Sequence, residues 1–187
     1  MALKDLSDED VVVLVRTKNQ ELYRELVERY QEKIIKYSAY IVGNREHAHD
    51  IAQEAFIKAF VNLWGFNTKL KFSSWIYRIA HNEAINYIKK HKKEFPIDPE
   101  TMSMMDIESD DNPFRDMEKK ESSELVEKCL PKIPMKYREP LALYYLDEKS
   151  YEEISDVLRI PASTVGVRIM RGKKILKTIC ENNGYRK

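Results

Sequence analysis

Apolar residues recur at steps of three or four along much of the chain, a spacing typical of one face of an α-helix. Residues 21–42 predict one such helix, and the Gly-Asn pair at 43–44 predicts its end. After it, residues 46–63 and 73–93 predict two more helices, separated by a break at 65–68. The stripes of the first two helices are Leu22, Leu26, Tyr30, Ile34, Tyr37 and Ile41, and Ala52, Ala55, Phe56, Ala59, Phe60 and Leu63. The first half of the chain therefore predicts a helical bundle.

The helical spacing fails between residues 94 and 123, where three prolines interrupt a Met-, Ser- and Asp-rich stretch. Such a composition has little capacity to pack and indicates a flexible linker. The spacing returns near Leu125 and continues into a helix predicted to end near Leu146. We therefore predict an all-α fold, with helical domains at 1–94 and 124–187 joined by an acidic linker at 95–123.

A helix-turn-helix is predicted from Ser150 onward. The run Ser-Tyr-Glu-Glu at 150–153 is a capping box, and Arg-Ile-Pro at 159–161 turns the chain into a second helix. Val165, Ile169, Gly172 and Leu176 would form the buried side of that helix. Thr164, Arg168 and Arg171 would then face outward, followed by Lys173 and Lys174. Arginine pairs with guanine edges and lysine neutralises phosphate, so this face predicts DNA binding, with a solvated basic hairpin as the alternative.

Charge divides the chain in the same way. Residues 1–93 carry 16 Lys/Arg against 12 Asp/Glu, residues 94–124 carry 3 against 11, and residues 125–187 carry 13 against 8. Two basic blocks that flank an acidic connector indicate three functional parts.

Cellular location and redox state follow from simpler counts. No apolar run approaches the roughly 18 residues that cross a bilayer, and the first ten residues are acidic, unlike a secretory signal. We therefore expect a cytoplasmic protein without direct membrane insertion. Cys129 and Cys180 lack a CxxC spacing, so we expect two buried thiols in preference to a disulfide or a ligand.

Two segments of the first domain carry candidate chemistry. Asp50, Gln53, Glu54 and Ile57 share the helix face opposite the apolar one, which suits an arginine-rich partner helix or, alternatively, solvent alone. The segment 72–93 interleaves aromatic, asparagine and lysine residues. That mixture suits single-stranded nucleic acid, because rings receive an unstacked base, amides read its edge and lysines hold the backbone. Some of these aromatic residues must instead be core, and Trp75 shares a stripe with Ile79.

Together these segments resemble the extracytoplasmic-function sigma factors of bacterial RNA polymerase. DIAQEAFIKAF at 50–60 is similar to the family's region 2.2, and FSSWIYRIAHNEAINYIKK at 72–90 is similar to regions 2.3 and 2.4. The paired helices from Ser150 are similar to region 4.2. The resemblance covers nearly the whole chain and implies a non-enzymatic initiation factor without cofactor or metal.

The resemblance also implies partners and site residues. Asp50, Gln53, Glu54 and Ile57 would dock on the β′ clamp helices of the polymerase core, with the β flap as a further contact of the core. The first domain would capture a flipped base of the −10 promoter element through Asn67, Lys69, Lys71, Phe72, Trp75, Asn82, Asn86, Lys89 and Lys90. Lys92 and Lys93 would meet nearby phosphates. The second domain would read the −35 element through Ser163, Thr164, Arg168, Arg171, Lys173 and Lys174. The linker would run through the polymerase channel, and an anti-sigma factor would mask the DNA-binding domains.

One departure from the family pattern lies in the second helix of the predicted motif. Where relatives commonly carry a Thr-Val-Lys-Ser-Arg type of run, this chain has Thr-Val-Gly-Val-Arg at 164–168. Glycine inside a helix costs roughly 1 kcal/mol relative to alanine, and the lysine's phosphate contact is missing. The departure concerns the details of −35 recognition.

Two other classes of protein compete with this interpretation. A conventional helix-turn-helix regulator would use the first half as a ligand-binding or dimerisation domain and would bind duplex DNA without polymerase. A metal-dependent nuclease would need ligands such as His47, His49, Asp50, His81 or His91. Side chains two residues apart diverge by about 200° on a helix, which is a poor geometry for chelation by His47 and His49.

Overall fold

The structure, a computed structural model, describes residues 3–91 and 128–182. The predicted linker at 95–123, the return of helical spacing near Leu125 and the residues Lys92 and Lys93 lie outside these ranges. The chain divides into two compact units: the first holds the N-terminal helices up to Tyr87, and the second holds the long C-terminal helix and its packing partner. The all-α class is confirmed, since the described ranges contain helices and turns without a strand.

The first unit contains α1 (Asp8–Thr17), α2 (Tyr23–Val42), α3 (Arg45–Val61) and, up to Tyr87, α4 (Phe72–Lys90). Short 3-10 turns at Gln20–Leu22 and Leu63–Gly65 precede α2 and follow α3. These bounds differ from the sequence prediction, in which the first helix begins at residue 21 and the second ends at residue 63. Both differences fall at helix ends, where a 3-10 turn keeps the helical spacing of apolar side chains.

Capping explains where these helices begin and end. Gly43 ends α2 in the left-handed conformation, with φ at 70°, which costs little without a Cβ. Asn44 then begins α3, because its side-chain oxygen accepts hydrogen bonds from the backbone N–H groups of Glu46 and His47 at 2.8 and 3.2 Å. Ser7 caps α1 in the same way by accepting from the N–H of Asp10. One Gly-Asn pair thus sets the corner between α2 and α3.

The core of the first unit lies where α2, α3 and α4 meet. The predicted stripe of α2 is buried from Leu26 to Ile41, whereas Leu22 is half-buried in the preceding turn. The buried face of α3 is rich in alanine, which lets the helix approach its neighbours closely. His81 of α4 faces Tyr37 of α2, with 3.1 Å between the ring nitrogen Nδ1 and the hydroxyl. Burial lowers the pKa of His81 to about 4, so the imidazole is neutral near pH 7.

The second unit contains α5 (Met135–Tyr145) and α7 (Ala162–Asn182), and the short helix α6 (Tyr151–Leu158) precedes α7. Helices α5 and α7 pack closely, and Gly172 of α7 lies directly against α5. Cys129 and Cys180 are both buried and carry free thiols, and their sulfur atoms lie next to each other. Burial and the neighbouring thiol raise the pKa of Cys180 to about 12, so it stays protonated.

Candidate nucleic-acid interfaces

A cavity of about 400 Å³ opens in the first unit beside the loop that joins α3 to α4. Its walls come from the end of α3, the start of the loop, and α4 from its first turn to just past its middle. The lining residues are Lys58, Asn62, Gly65, Phe66, Trp75, Ile79, Asn82 and Glu83. Trp75 and Asn82 were predicted as DNA-contacting residues, and the structure brings them together here. A cavity of this size accommodates a small planar ligand.

One wall of the cavity is aromatic. The rings of Phe66 and Trp75 lie 4.8 Å apart between centroids at an interplanar angle of 33°. Phe66 is buried, whereas Trp75 is only half-buried, so the indole is the more accessible of the two. An aromatic surface at the edge of a cavity offers a stacking platform for a base of any sequence.

The rest of the wall is polar. Lys58 of α3 and Glu83 of α4 form an ion pair, with 2.5 Å between Nζ and Oε2. The side-chain amide of Asn62 donates to the carbonyl of Lys58 at 2.8 Å, which fixes the orientation of the asparagine. Donors and an acceptor thus stand beside the aromatic wall, and this combination can read the edge of a base.

Several of these lining residues are not predicted from the sequence. Lys58 and Glu83 are 25 positions apart and come together only because α3 and α4 are neighbours in the fold. Phe66 lies in the predicted break between helices. An aromatic residue in such a break is a signal that marks it as a candidate lining residue. Ile79 shares a helical stripe with Trp75, and the structure leaves both half-buried along the cavity.

Phe72 does not fit the role predicted for it. Its side chain is fully buried, with its ring 5.8 Å from that of Tyr30 and 5.9 Å from that of Phe66. Its backbone N–H, at the start of α4, donates to a carboxylate oxygen of Glu9 at 2.7 Å. The phenyl ring therefore supports the aromatic wall from behind, and we correct the predicted DNA contact to a structural role.

The remaining residues predicted to contact the −10 element lie at the surface. Asn67 orders the loop by accepting from the backbone N–H of Lys69 at 3.0 Å. On α4, Asn82, Asn86 and the lysines at 89–90 follow helical spacing and form one exposed polar face. This face begins at the cavity and ends in two positive charges.

The predicted polar face of α3 is exposed. Asp50, Gln53 and Glu54 are exposed along its length, and Ile57 leaves 49% of its surface accessible. The structure extends this face by two further apolar residues, since Val61 and Trp64 are 69% and 49% exposed. The face therefore begins acidic and ends apolar. A partner that matches it would present both basic and apolar side chains.

The helix-turn-helix signal has the local geometry that the sequence predicts. The backbone N–H of Ser150 donates to Oε2 of Glu153 at 2.8 Å, and the N–H of Glu153 donates to Oγ of Ser150 at 3.2 Å, which completes the capping box. Arg159 takes a positive φ of 56° in the turn. The predicted inward residues of α7 from Val165 to Leu176 are all buried.

The outward side of α7 differs in part from the prediction. Ser163 and Arg171 are exposed, and Thr164, Arg168 and Lys174 are partly exposed. Val167 and Met170 are also exposed, so the outer face combines polar and apolar side chains. Apolar groups on such a face can contact the methyl group of thymine.

Lys173 of α7 also contacts two tyrosine rings of the second unit. Its ammonium group sits over the rings of Tyr144 and Tyr145 of α5, 5.1 and 5.6 Å from the ring centroids. Burial lowers its pKa. This cation–π contact places the lysine beside α5 while leaving it partly exposed, and its predicted phosphate contact stays a prediction.

Among residues 3–91 and 128–182, no group of three or more His, Cys, Asp and Glu side chains is arranged to hold a metal ion. Within the same ranges, no helix has the length and apolar character needed to span a membrane.

Comparison with known proteins identifies the family. Residues 26–94 match the sequence model of Sigma-70 region 2, and residues 123–176 match that of Sigma-70, region 4. The first match contains α3, the cavity and α4, and the second contains the helix-turn-helix. The chain thus contains both regions of a sigma factor, a protein that directs transcription initiation.

Curated relatives agree over nearly the whole chain. The chain is 37% identical over 170 residues to the ECF RNA polymerase sigma factor SigW of Bacillus subtilis, covering 87% of this chain and 91% of that protein. It is 32% identical to the ECF RNA polymerase sigma-E factor of Escherichia coli, covering 92% of this chain and 94% of that protein. The chain belongs to the extracytoplasmic-function sigma factors: it is an RNA polymerase subunit for promoter-specific initiation and not an enzyme.

Solved structures share the fold. CnrH, solved in complex with the cytosolic domain of CnrY, superposes with a TM-score of 0.68 at 19% identity and covers 94% of this chain and 97% of its own. The sigma factor RpoE of Bartonella quintana was solved with the anti-sigma factor NepR. It superposes with a TM-score of 0.64 at 18% identity, and the match covers 85% of this chain and 96% of RpoE.

Proposed function

We propose that this sigma factor opens its promoters by capturing one unstacked base of the −10 element in the cavity beside the α3–α4 loop. The observation that carries the proposal is the aromatic wall of Phe66 and Trp75 beside the donors and acceptor of Asn82, Lys58 and Glu83. Stacking supplies affinity for a flipped base, and the polar groups discriminate among bases. Strand opening is then driven by binding free energy, without nucleotide hydrolysis.

The surface around the cavity supports the proposal. Asn86, Lys89 and Lys90 continue the exposed face of α4 away from Asn82, so they would hold the backbone of the strand whose base is captured. Lys69 and Lys71 of the loop are also exposed and lie on the other side of Trp75 along the chain. Asn67, Lys69, Lys71, Trp75, Asn82, Asn86, Lys89 and Lys90 thus remain our −10 contacts, with Phe72 behind them.

The ion pair in the cavity bears on which base is captured. A carboxylate accepts hydrogen bonds only, so Glu83 favours a base with an exocyclic amino group, as acidic side chains do with cytosine. The side chain of Glu83 is 17% exposed and pairs with Lys58, which offsets its repulsion of nearby phosphates. Thymine presents two carbonyl oxygens around a single N–H and fits this wall less well.

We propose that the exposed face of α3 docks on the β′ clamp helices of the polymerase core. Asp50, Gln53, Glu54 and Ile57 are all exposed there, and the structure adds Val61 and Trp64. Carboxylates form charge-assisted hydrogen bonds with arginine, and the apolar end supplies the desolvated part of an interface.

In the second unit, we propose that the N-terminal part of α7 reads the −35 element. Ser163, Thr164, Arg168 and Arg171 lie on its accessible side, with Lys174 one turn beyond Arg171. The second domain would also contact the β flap of the core.

Each DNA-binding surface is small, and tethering two of them to one polymerase raises their effective concentration. The residues 95–123 would act as that tether and run through the basic channel of the polymerase.

Regulation and location complete the proposal. Two related folds were solved with protein partners, the cytosolic domain of CnrY and the anti-sigma factor NepR. We propose that an anti-sigma factor likewise masks the DNA-binding surfaces of this chain. The factor would act in the cytoplasm, where its polymerase and promoters are.

The test of base capture uses holoenzyme assembled from purified core and the full chain. Each non-template base of the −10 element is replaced in turn by an abasic site, and the rate of promoter opening is measured. We expect one position at which the loss is at least about tenfold, equivalent to about 1.4 kcal/mol. Trp75→Ala and Glu83→Gln should reduce the discrimination at that position alone. A uniform, small effect at every position would overturn the proposal.

A further inference from the structure

Helix α1 precedes the first residue matched by the region 2 model, at position 26, yet two of its side chains reach the α3–α4 loop. The first is Arg16. Its Nε donates to the carbonyl oxygen of Leu63 at 3.0 Å, and its Nη2 donates to the carbonyls of Leu63 and Phe66. These two carbonyls flank the turn that leads into the loop. A guanidinium spans them both because its donors form a rigid planar fork.

The second side chain is Glu9, which acts at the other end of the loop. Its Oε1 accepts the backbone N–H of Phe72, the first residue of α4, at 2.7 Å. The first N–H groups of a helix have no partner within the helix, and they carry partial positive charge, so a carboxylate is well placed there. Glu9 thus fixes the residue at which the loop ends and α4 begins.

The two anchors belong to one rigid element. Positions 9 and 16 are seven residues apart and share a face of α1, about 10 Å apart along its axis at 1.5 Å per residue. Val11, Val12 and Val15 hold this helix in the core with 0–1% of their surface exposed. Arg16 and Glu9 therefore fix the loop at both ends relative to the bundle.

We propose that Arg16 and Glu9 are positioning residues that keep the base-capture cavity in its binding-competent form. The connection is direct, because Phe66 gives its carbonyl to Arg16 and its ring to the cavity wall. Phe72, held by Glu9, lies three positions before Trp75, and their ring centroids are 5.7 Å apart. This inference rests on the proposed capture of a −10 base in that cavity.

Loss of either anchor would leave the loop able to sample forms in which Phe66 and Trp75 do not face one cavity. Apparent affinity for the flipped base falls in proportion to the population that remains competent. The expected effect is therefore confined to the base-dependent step. Docking through Asp50, Gln53 and Glu54 should not change, since these residues lie on α3 well before the turn that Arg16 holds.

The experiment compares holoenzymes on two promoter templates, one intact and one abasic at the captured position. Opening rate, core affinity and thermal unfolding are measured for the wild type, Arg16→Ala, Arg16→Lys, Glu9→Ala and Glu9→Gln. Arg24→Ala is the matched control, because Arg24 has 85% of its side chain exposed on α2. Glu9→Gln keeps an acceptor for the N–H of Phe72 and should stay close to the wild type.

We expect Arg16→Ala to slow opening about tenfold on the intact template and to match the wild type on the abasic one. Arg16→Lys should be intermediate, because an ammonium group lacks the planar fork. Two results would overturn the inference. In the first, removal of the base slows opening by Arg16→Ala as much as it slows opening by the wild type. In the second, Arg16→Ala is slower than the wild type by the same factor on both templates. If Arg16→Ala is too unstable to measure, the same comparison of opening rates on the two templates is made between Glu9→Ala and Glu9→Gln. A wild type indifferent to the abasic site would refute base capture itself.

Discussion

Gly172 of α7 lies so close to Leu141 of α5 that a Cβ on the glycine would be 2.8 Å from Cδ1 of the leucine. The same Cβ would also lie 3.3 Å from Cβ of Tyr137. Both neighbours are buried, so neither can move aside freely. We predict that Gly172→Ala lowers the free energy of unfolding by about 1–3 kcal/mol, the usual cost of overpacking a core. Urea unfolding of the full chain measures it, and an unchanged midpoint would contradict the close approach.

Gly166, on the same helix, should behave in the opposite way. A Cβ there would meet Cε2 of Tyr151 at 3.5 Å, which is an ordinary van der Waals contact. Alanine is the better helix former by up to about 1 kcal/mol. Gly166→Ala should therefore stabilise the chain by about 0.5–1 kcal/mol in the same unfolding experiment. A destabilised variant would show that this glycine is required by the backbone.

Glu139 of α5 gives the second unit a pH dependence. Burial raises the pKa of this carboxyl to about 7, against the opposing charges of Arg168 and Arg138. The folded state therefore holds a proton that the unfolded state releases near pH 4.5. Stability falls as pH rises from about 4.5 to 7, and the loss is complete above pH 7. Glu139→Gln should remove this dependence, a difference on the order of 2 kcal/mol between pH 5 and 8.

The comparison of wild type with Glu139→Gln isolates this carboxyl from other groups. His81 acts in the opposite sense, because its lowered pKa makes stability rise with pH between about 4 and 6.5. That contribution is shared by both proteins and cancels in the difference. Parallel stability curves from pH 5 to 8 would mean that Glu139 is ionised in the folded state.

The acidic face of α3 predicts a charge-sensitive contact with the polymerase. Asp50→Lys combined with Glu54→Lys should weaken binding to the core by at least tenfold, since the two exposed residues lie one turn apart. Glu28→Lys with Glu32→Lys makes the same change at the same spacing on α2 and should bind normally. Equal affinity of both double variants in a pull-down would remove Asp50 and Glu54 from the interface.

Features that depend on local spacing were predictable from the sequence. Helices α2, α3 and α4, the Gly43 stop and the Ser150 capping box follow from periodicity and capping chemistry, which act within a few residues. Helix ends were less accurate, because Leu22 and Leu63 continue an apolar stripe through 3-10 turns.

Features that depend on distant residues were not predictable in this way. The cavity joins Lys58 to Glu83, and Arg16 reaches carbonyls some 50 positions away along the chain. Lys173 has the spacing of an outward residue, yet the rings of Tyr144 and Tyr145 draw it toward α5. Phe72 belonged to a plausible base-stacking segment, but its position at the start of α4 points it into the core.

Transcription with purified core polymerase on a library of randomised promoters tests the central claim most directly. We predict specific transcripts only when this chain is added to core, from promoters that share both a −35 and a −10 element. Replacing one −10 base by an abasic site should abolish most of that activity. Absence of any specific transcript, or tight sequence-specific binding to duplex DNA by the chain alone, would contradict it.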